Sequence, residues 1–290
     1  MYRVRLMKKV LSPVKRKIIQ LITFVLYNPH VKNFADGRLY TGKWKNFCSP
    51  GLNCYSCPAA ALSCPIGAMQ AVSGSMDFKF SFYVTGFLLA LGALFGRAVC
   101  AFLCPFGLLQ ELLHKIPSAK FKLPSWTKYI KYALLLVFVL ILPVASTNFA
   151  GVGDPAFCKY ICPQGTLEGG LPHLLLHEEL RSVTGSLFFV KIAILFITLI
   201  ACIFVMRFFC KVLCPLGAIY GLCNKFSLLA LRVDSDKCVK CGKCASVCPM
   251  DVDPVKNAAS AECIRCSSCV YFCPTNAIKL SLKEGRNVHT

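Results

Sequence analysis

Apolar residues gather in four blocks along the chain: Ile18 to Tyr27, Phe78 to Phe95, Tyr129 to Thr147 and Leu187 to Met206. A helix needs roughly 20 apolar residues to cross about 30 Å of hydrocarbon. The last three blocks meet or approach that length. The first contains Gln20 and Thr23 and reaches across only if part of its basic flank joins the helix. The pattern predicts a membrane α-helical fold, a four-helix transmembrane bundle over 18–228. A basic segment, 1–17, precedes it and a smaller α+β unit, 229–290, follows. In the second block Gly86, Gly92 and Gly96 are interspersed among large apolar residues, the last two in the G-x-x-x-G spacing that lets helices approach closely.

Composition agrees with this reading. Of 290 residues 56% are hydrophobic and 16% charged, far more apolar than a soluble chain. The basic start from Arg3 to Lys17 runs into the first block with no small-residue cleavage site, so that helix is expected to be retained. Lys and Arg also set the orientation. They crowd the N-terminus, the segment after the second block (Arg97, Lys115, Lys120, Lys122, Lys128) and the segment after the fourth (Arg207, Lys211, Lys225, Arg232). Both termini are therefore expected in the cytoplasm, with 28–77 and 148–186 on the outer side, in a multi-pass cytoplasmic-membrane protein. The formal charge of +20 carries no nucleic-acid recognition motif with it.

An internal repeat organises the bundle. Cys-Pro-x-Gly occurs at Cys64, Cys104, Cys162 and Cys214, in the order outer, inner, outer, inner. Each half thus contributes a helix running out, an outer cysteine loop, a helix running back and an inner Arg-x-x-Cys-x-x-x-Cys-Pro-x-Gly. Two such parallel repeats imply a pseudo-two-fold axis along the membrane normal.

The twenty cysteines are the candidate chemistry. Near the C-terminus, Cys238-x2-Cys241-x2-Cys244-x3-Cys248-Pro and Cys263-x2-Cys266-x2-Cys269-x3-Cys273-Pro reproduce the bacterial two-cluster ferredoxin pattern. In that pattern the fourth cysteine of each run serves the other cluster. One [4Fe-4S] cluster is then held by Cys238, Cys241, Cys244 and Cys273, the other by Cys263, Cys266, Cys269 and Cys248. Zinc, the rival ligand of clustered thiolates, does not account for two consecutive copies of this spacing.

Cys100/Cys104 and Cys210/Cys214 are spaced i,i+4, so each pair faces one way if its helix continues through it. Two facing pairs make an inner four-thiolate site, with Arg97 and Arg207 placed to offset its charge. The outer cysteines leave alternatives open. Cys57, Cys64, Cys158 and Cys162 would complete a symmetric cluster and leave Cys48 and Cys54 spare; the first loop alone could hold a cluster; or the thiols could pair as disulfides on an oxidising face. Cys202 and Cys223 fall in no motif and read as packing residues. His173 and His177 read as one edge of a surface helix.

The Arg97/Cys100/Cys104/Pro105 and Arg207/Cys210/Cys214/Pro215 motifs followed by the double ferredoxin run resemble the NapH-like family of polyferredoxin membrane proteins. That resemblance implies four transmembrane helices, cytoplasmic clusters, and electron exchange with quinone or with partner proteins. The six outer cysteines depart from the nitrate-reduction members of the family. No covalent-flavin domain is present in the sequence, so a flavoprotein would be a separate partner.

The expected function is a transmembrane electron conduit containing three to four [4Fe-4S] clusters. It would link a cytoplasmic ferredoxin or reductase to an extracytoplasmic flavoprotein or reductase. Two alternatives stand beside it: a quinol dehydrogenase subunit feeding a periplasmic reductase, with quinone bound near the inner site, and an iron-sulfur sensor or assembly factor.

Overall fold

The computed structural model describes residues 12–74, 81–146 and 153–282. Arg3, Arg5, Lys8, Lys9, the start of the second apolar block and Thr290 lie outside these ranges. Helix α1, Pro13–Tyr27, opens on Ser12, whose hydroxyl caps the Lys15 N–H, with proline in the first turn. It starts earlier than the apolar block because the basic flank joins it. Its polarity is inverted: Arg16, Gln20, Thr23 and Tyr27 are buried, while Ile18, Leu21, Ile22, Val25 and Leu26 are exposed.

Three further long helices are described: α3 (Ser81–Phe95), α6 (Ser125–Ala145) and α8 (Ser186–Phe204). Among the described residues only α6 and α8 are long and apolar enough to cross a membrane by length and composition; α1 and α3 each have 15 residues. Helix α6 carries a π-helical stretch, Leu135–Ile141, just ahead of Pro143.

Short helices begin at each Cys-Pro-x-Gly: α2 (Pro65–Ser73), α5 (Pro105–Leu113), α7 (163–176, with a π-helical middle) and α10 (Pro215–Cys223). Helices α4 (Ala98–Phe102) and α9 (Phe208–Val212) carry Cys100 and Cys210. The halves are interlocked: α5 packs on α1 of its own half and α8 of the other, and α10 packs on α6 of its own half and α3 of the other. Gly92 meets Cys223, and Gly96 meets Asn224 and Arg265, so the small-residue spacing of α3 admits α10 and the segment behind it.

The C-terminal unit closes on an antiparallel pair, β1 (Leu229–Val233) and β2 (Ile278–Leu282), in the register Leu231↔Leu280. Leu231, Ile278 and Leu280 form its small core with Val270 of α11 (Ser268–Phe272). On its other side Met250, Val252, Ile264 and Cys266 join the apolar core of the bundle, which runs without interruption to Leu52 and Cys64.

Candidate metal centres along the bundle

All four Cys-Pro-x-Gly copies fold alike. The cysteine is the N-cap in an extended conformation, with ψ between 107° and 127°, and proline follows in the first turn. Proline fits there because that position needs no intrahelical N–H. Each thiol then sits over the free N–H groups of a helix start, which favour negative charge. The Gly217 N–H lies 3.3 Å from Cys214 Sγ; the N–H groups of Gly67, Gly107 and Gly165 favour a thiolate at Cys64, Cys104 and Cys162 in the same sense, without a side-chain cap hydrogen bond there.

The glycine of the inner motif has a second reason. A Cβ on Gly107 would stand 3.3 Å from Arg207 Nη2, and one on Gly217 would stand 3.0 Å from Arg97 Nη2. Each half therefore seats the other half's arginine. Arg97 donates to the Cys210 carbonyl at 2.9 Å, and Arg207 to the Cys100 carbonyl at 3.2 Å.

These crossed arginines draw Cys100, Cys104, Cys210 and Cys214 into one buried group in which each thiol feels its neighbours' charge. Burial pushes Cys100 up to about 11 and Cys104 up to about 12. Four such thiols become thiolates together only around a cationic centre. No group of three or more His, Cys, Asp or Glu side chains among the described residues closes on a single ion. Four thiolates with no nitrogen or oxygen ligand are the donor set that a [4Fe-4S] cluster takes.

Both arginines are wholly buried and held by carboxylates that no motif revealed. Arg207 and Arg16 share Glu111, each with a contact of 2.7 Å. Arg97 and Lys131 share Glu262, at 2.9 and 2.5 Å. The networks are counterparts: Arg16 and Lys131 lie near the start of the first helix of each half, but position 221, the repeat equivalent of Glu111, is Gly. A Cβ there would approach the Ala261 carbonyl to 2.9 Å. The C-terminal unit fills that space and supplies the missing carboxylate through Glu262. Lys131, a lone cation in an apolar block, was the one visible signal of this network.

In the C-terminal unit Cys238, Cys241, Cys244 and Cys273 line one cavity, and Cys248, Cys263, Cys266 and Cys269 lie together. Both expected sets of four are brought together. The left-handed residues repeat as well, Lys240 and Gly242 in the first run matching Arg265 and Ser267 in the second. Such reversals turn successive N–H groups into a cradle for an anionic cluster. Cys241 is exposed and Cys266 buried, so the first set faces solvent and the second faces the bundle. Asn224 fixes the second set by donating to the Cys263 carbonyl at 2.7 Å while accepting from the Arg97 N–H at 2.8 Å.

At the other end the structure departs from the symmetric expectation. Cys54, not Cys57, joins Cys64, Cys158 and Cys162 around a cavity of about 350 Å³, also lined by Lys159 and Lys191. Cys57 packs with Ala59, Ala60 and Phe34, and Cys48 lies beside Cys64 at an isolated bridge to Ser63. Among the described residues no cysteine is joined in a disulfide. Cys54 is pulled in by α7, whose Glu168 accepts its N–H at 3.0 Å. Burial pushes Glu168 up to about 7.

The loop before Cys54 dips to the inner site. The Leu52 N–H lies beside the Cys104 sulfur and favours its thiolate, and Tyr220 donates to the Pro50 carbonyl at 3.0 Å. Gly51 lies so close to α5 that a Cβ would be 2.3 Å from the Leu103 carbonyl oxygen. One short segment therefore touches both four-thiol groups.

A second, apolar cavity of about 530 Å³ lies between α1, α5 and α7, lined among others by Pro105, Phe106, Gln164, Glu168 and Cys57. It marks an asymmetry of the repeat, since α2 packs directly on α6. His173 and His177 hold the 33–37 turn: His177 Nε2 is 3.0 Å from the Phe34 carbonyl and His173 lies against the Phe34 ring.

Comparison with known proteins places two kinds of iron-sulfur segment in the chain. Residues 78–124, 133–174 and 187–233 match one family described as a 4Fe-4S binding domain, and 231–252 and 260–279 match a second family of the same description. Among curated relatives, YccM of Escherichia coli, whose name assigns it provisionally to electron transport, is 28% identical over 61% of this chain and 52% of its own length. The uncharacterized protein MJ0750 of Methanocaldococcus jannaschii is 31% identical over 57% of this chain and 63% of its own. The methylamine utilization ferredoxin-type protein MauN of Methylobacillus flagellatus is 26% identical over 81% of this chain and 75% of its own. The chain thus spans just over half to about three-fifths of the first two of these relatives. No solved structure matches. The chain is an iron-sulfur protein with several [4Fe-4S]-binding segments.

Proposed function

We propose that this chain is a membrane-embedded electron-transfer protein that relays electrons between a cytoplasmic donor or acceptor and an extracytoplasmic flavoprotein or reductase. Iron-sulfur clusters supply one-electron transfer with little rearrangement. The chain's own contribution is their order. The exposed set (Cys238, Cys241, Cys244, Cys273) comes first, then the buried set (Cys248, Cys263, Cys266, Cys269), the inner set (Cys100, Cys104, Cys210, Cys214) and the outer set (Cys54, Cys64, Cys158, Cys162). The observation that carries the reading is the segment 52–54. The Leu52 N–H lies beside the Cys104 sulfur, and Cys54 stands in the outer group, so two residues, which span at most about 7 Å, connect the sites.

Two features support a membrane setting for α1, α6 and α8. The polar face of α1 points inward and its apolar face outward, the reverse of a water-facing helix. The outward faces of α6 and α8 likewise carry Leu136, Leu140, Val144, Phe189, Phe196 and Ile200 exposed, more apolar surface than a water-soluble monomer leaves uncovered. The names of YccM and MauN accord with an electron carrier.

The cavity between α1, α5 and α7 favours one second reading, a quinol dehydrogenase subunit. It is apolar and lined both by Pro105, the neighbour of Cys104, and by Glu168, whose carboxyl burial pushes up to about 7. Reduction of the clusters by a quinol, and not by a cytoplasmic donor, would select that reading.

The test of the main proposal is iron and acid-labile sulfide analysis with EPR on protein purified without oxygen. About sixteen irons per chain are expected, four per cluster. About eight in fully occupied protein would confine the clusters to the C-terminal unit and refute the relay.

A further inference from the structure

Resting on the proposed inner and outer clusters, we infer that Gln70 and Gln110 are redox-tuning residues, each giving one N–H to the sulfur of a cluster ligand and raising that cluster's potential. Both are six residues after the cysteine of a Cys-Pro-x-Gly motif, Gln70 after Cys64 and Gln110 after Cys104. Both are fully buried. Gln70 Nε2 lies 3.1 Å from Cys158 Sγ, and Gln110 Nε2 lies 3.2 Å from Cys210 Sγ. Cys158 and Cys210 are themselves equivalent, each four residues before the Cys-Pro-x-Gly cysteine of the second half. The same contact is thus built twice, once at each level of the bundle.

The amide orientation is set by partners, which matters because the two ends of a glutamine side chain are nearly alike. The Phe157 N–H, which can only donate, meets Gln70 Oε1 at 2.8 Å. The Gln70 amino group is thereby turned to the sulfur and to its own helix, at the Ile66 carbonyl 3.2 Å away. At the inner level Cys202 Sγ stands 3.7 Å from Gln110 Oε1 as donor, and the Gln110 amino group reaches the Phe106 carbonyl at 3.2 Å. Cys202, outside every sequence motif, gains a role as the group that holds Gln110.

The direction follows from charge. Reduction adds an electron to a cluster whose sulfurs share it, so a donor aimed at a ligand sulfur stabilises the reduced form more than the oxidised one. Low polarity around these buried sites makes one such bond count for more than it would in water. The second half provides no equivalent donor. Its residues at the same place are Glu168, which accepts from the Cys54 N–H, and Tyr220, whose hydroxyl is given to the Pro50 carbonyl. Both glutamine contacts therefore run from the first half to the second.

The experiment is an EPR-monitored redox titration of the anaerobically purified full chain. The inner signal is assigned by its loss in Cys210→Ala and the outer by its loss in Cys54→Ala. Gln110→Met, which keeps the length of the side chain but removes the donor, should lower the inner potential and leave the others in place. Gln70→Met should lower the outer potential alone. Gln110→Glu and Gln70→Glu preserve shape and replace the donor by an acceptor, so they should lower the same potentials at neutral pH even where a Met variant fails to assemble its cluster. Cys202→Ala should move the inner potential in the same direction by a smaller amount. Retained clusters with unmoved potentials in the Met or Glu variants would overturn the inference, as would equal shifts of every cluster. Absence of inner and outer signals from the unmodified protein would instead defeat the relay itself.

Discussion

Replacing Glu262 by Ala leaves Arg97 and Lys131 buried, with fractional exposures of 0%, and without a carboxylate. Removing one partner of a buried ion pair costs about 3–5 kcal/mol because the remaining charge stays out of water. Arg97 keeps the carbonyls of Ala261 and Cys210 at 2.8 and 2.9 Å, whereas the bonds recorded for the Lys131 ammonium all go to Glu262. A loss of about 4 kcal/mol is therefore expected, and since 1.4 kcal/mol is a factor of ten the docked form of the C-terminal unit falls about a thousandfold relative to the open one. The ligand loops do not contain this contact and should retain their iron. Arg265, which donates to the Asn224 carbonyl at 2.7 Å, should keep the unit tethered but loosened. Hydrogen exchange over 260–266 and proteolysis near 224–230 would rise in Glu262→Ala, and transfer from the C-terminal clusters to the inner one would slow. Glu111→Ala removes the matching carboxylate from the other half and should loosen α1 while leaving 260–266 protected. Equal protection of 260–266 in wild type and Glu262→Ala would refute the argument that Glu262 holds the two parts together.

Two further outcomes follow from the geometry. Cys54→Ser should cost the outer cluster, about four irons per chain by the same iron analysis, while Cys57→Ser leaves the iron content unchanged; the reverse result would restore the symmetric set. Burial alone would raise the Glu111 carboxyl, but Arg207 and Arg16 outweigh it and hold it down at about 2. A carboxylate held below its usual range stabilises the fold when ionised, so its contribution is complete above the ordinary carboxylate range and is lost as pH falls through about 2. The difference in unfolding free energy between wild type and Glu111→Gln, on the order of 3 kcal/mol at neutral pH, should shrink steadily below pH 4.5. A difference independent of pH would rule out the ion pairs as its source.

The sequence by itself determined what depends on near neighbours. Three cysteines two residues apart can wrap only a small centre, so the C-terminal runs assign their own ligands, and the crossing of Cys248 and Cys273 comes with the pattern. Duplication of Arg-x-x-Cys-x-x-x-Cys-Pro-x-Gly disclosed the inner group and the repeat, but not on one continuous helix as i,i+4 spacing implies: α4 and α9 end at Phe102 and Val212, and Cys104 and Cys214 cap the next helices in an extended conformation because proline follows them. What only the tertiary structure decided was every choice between distant segments. Gln20 and Thr23 weakened the first apolar block in the sequence. In the bundle they belong to the inward face of α1, where Gln20 donates to the Cys104 carbonyl at 3.1 Å. Cys54 and Cys57 are equivalent candidates in the chain, and the choice rests on Glu168, which is 114 residues away and pulls the Cys54 backbone toward α7. Glu111 and Glu262 stand in no motif, since their meaning lies in buried cations 95 and 165 residues distant. Burial of a charge demands a partner wherever the fold can bring one, and the residue that answers can come from any segment able to reach it.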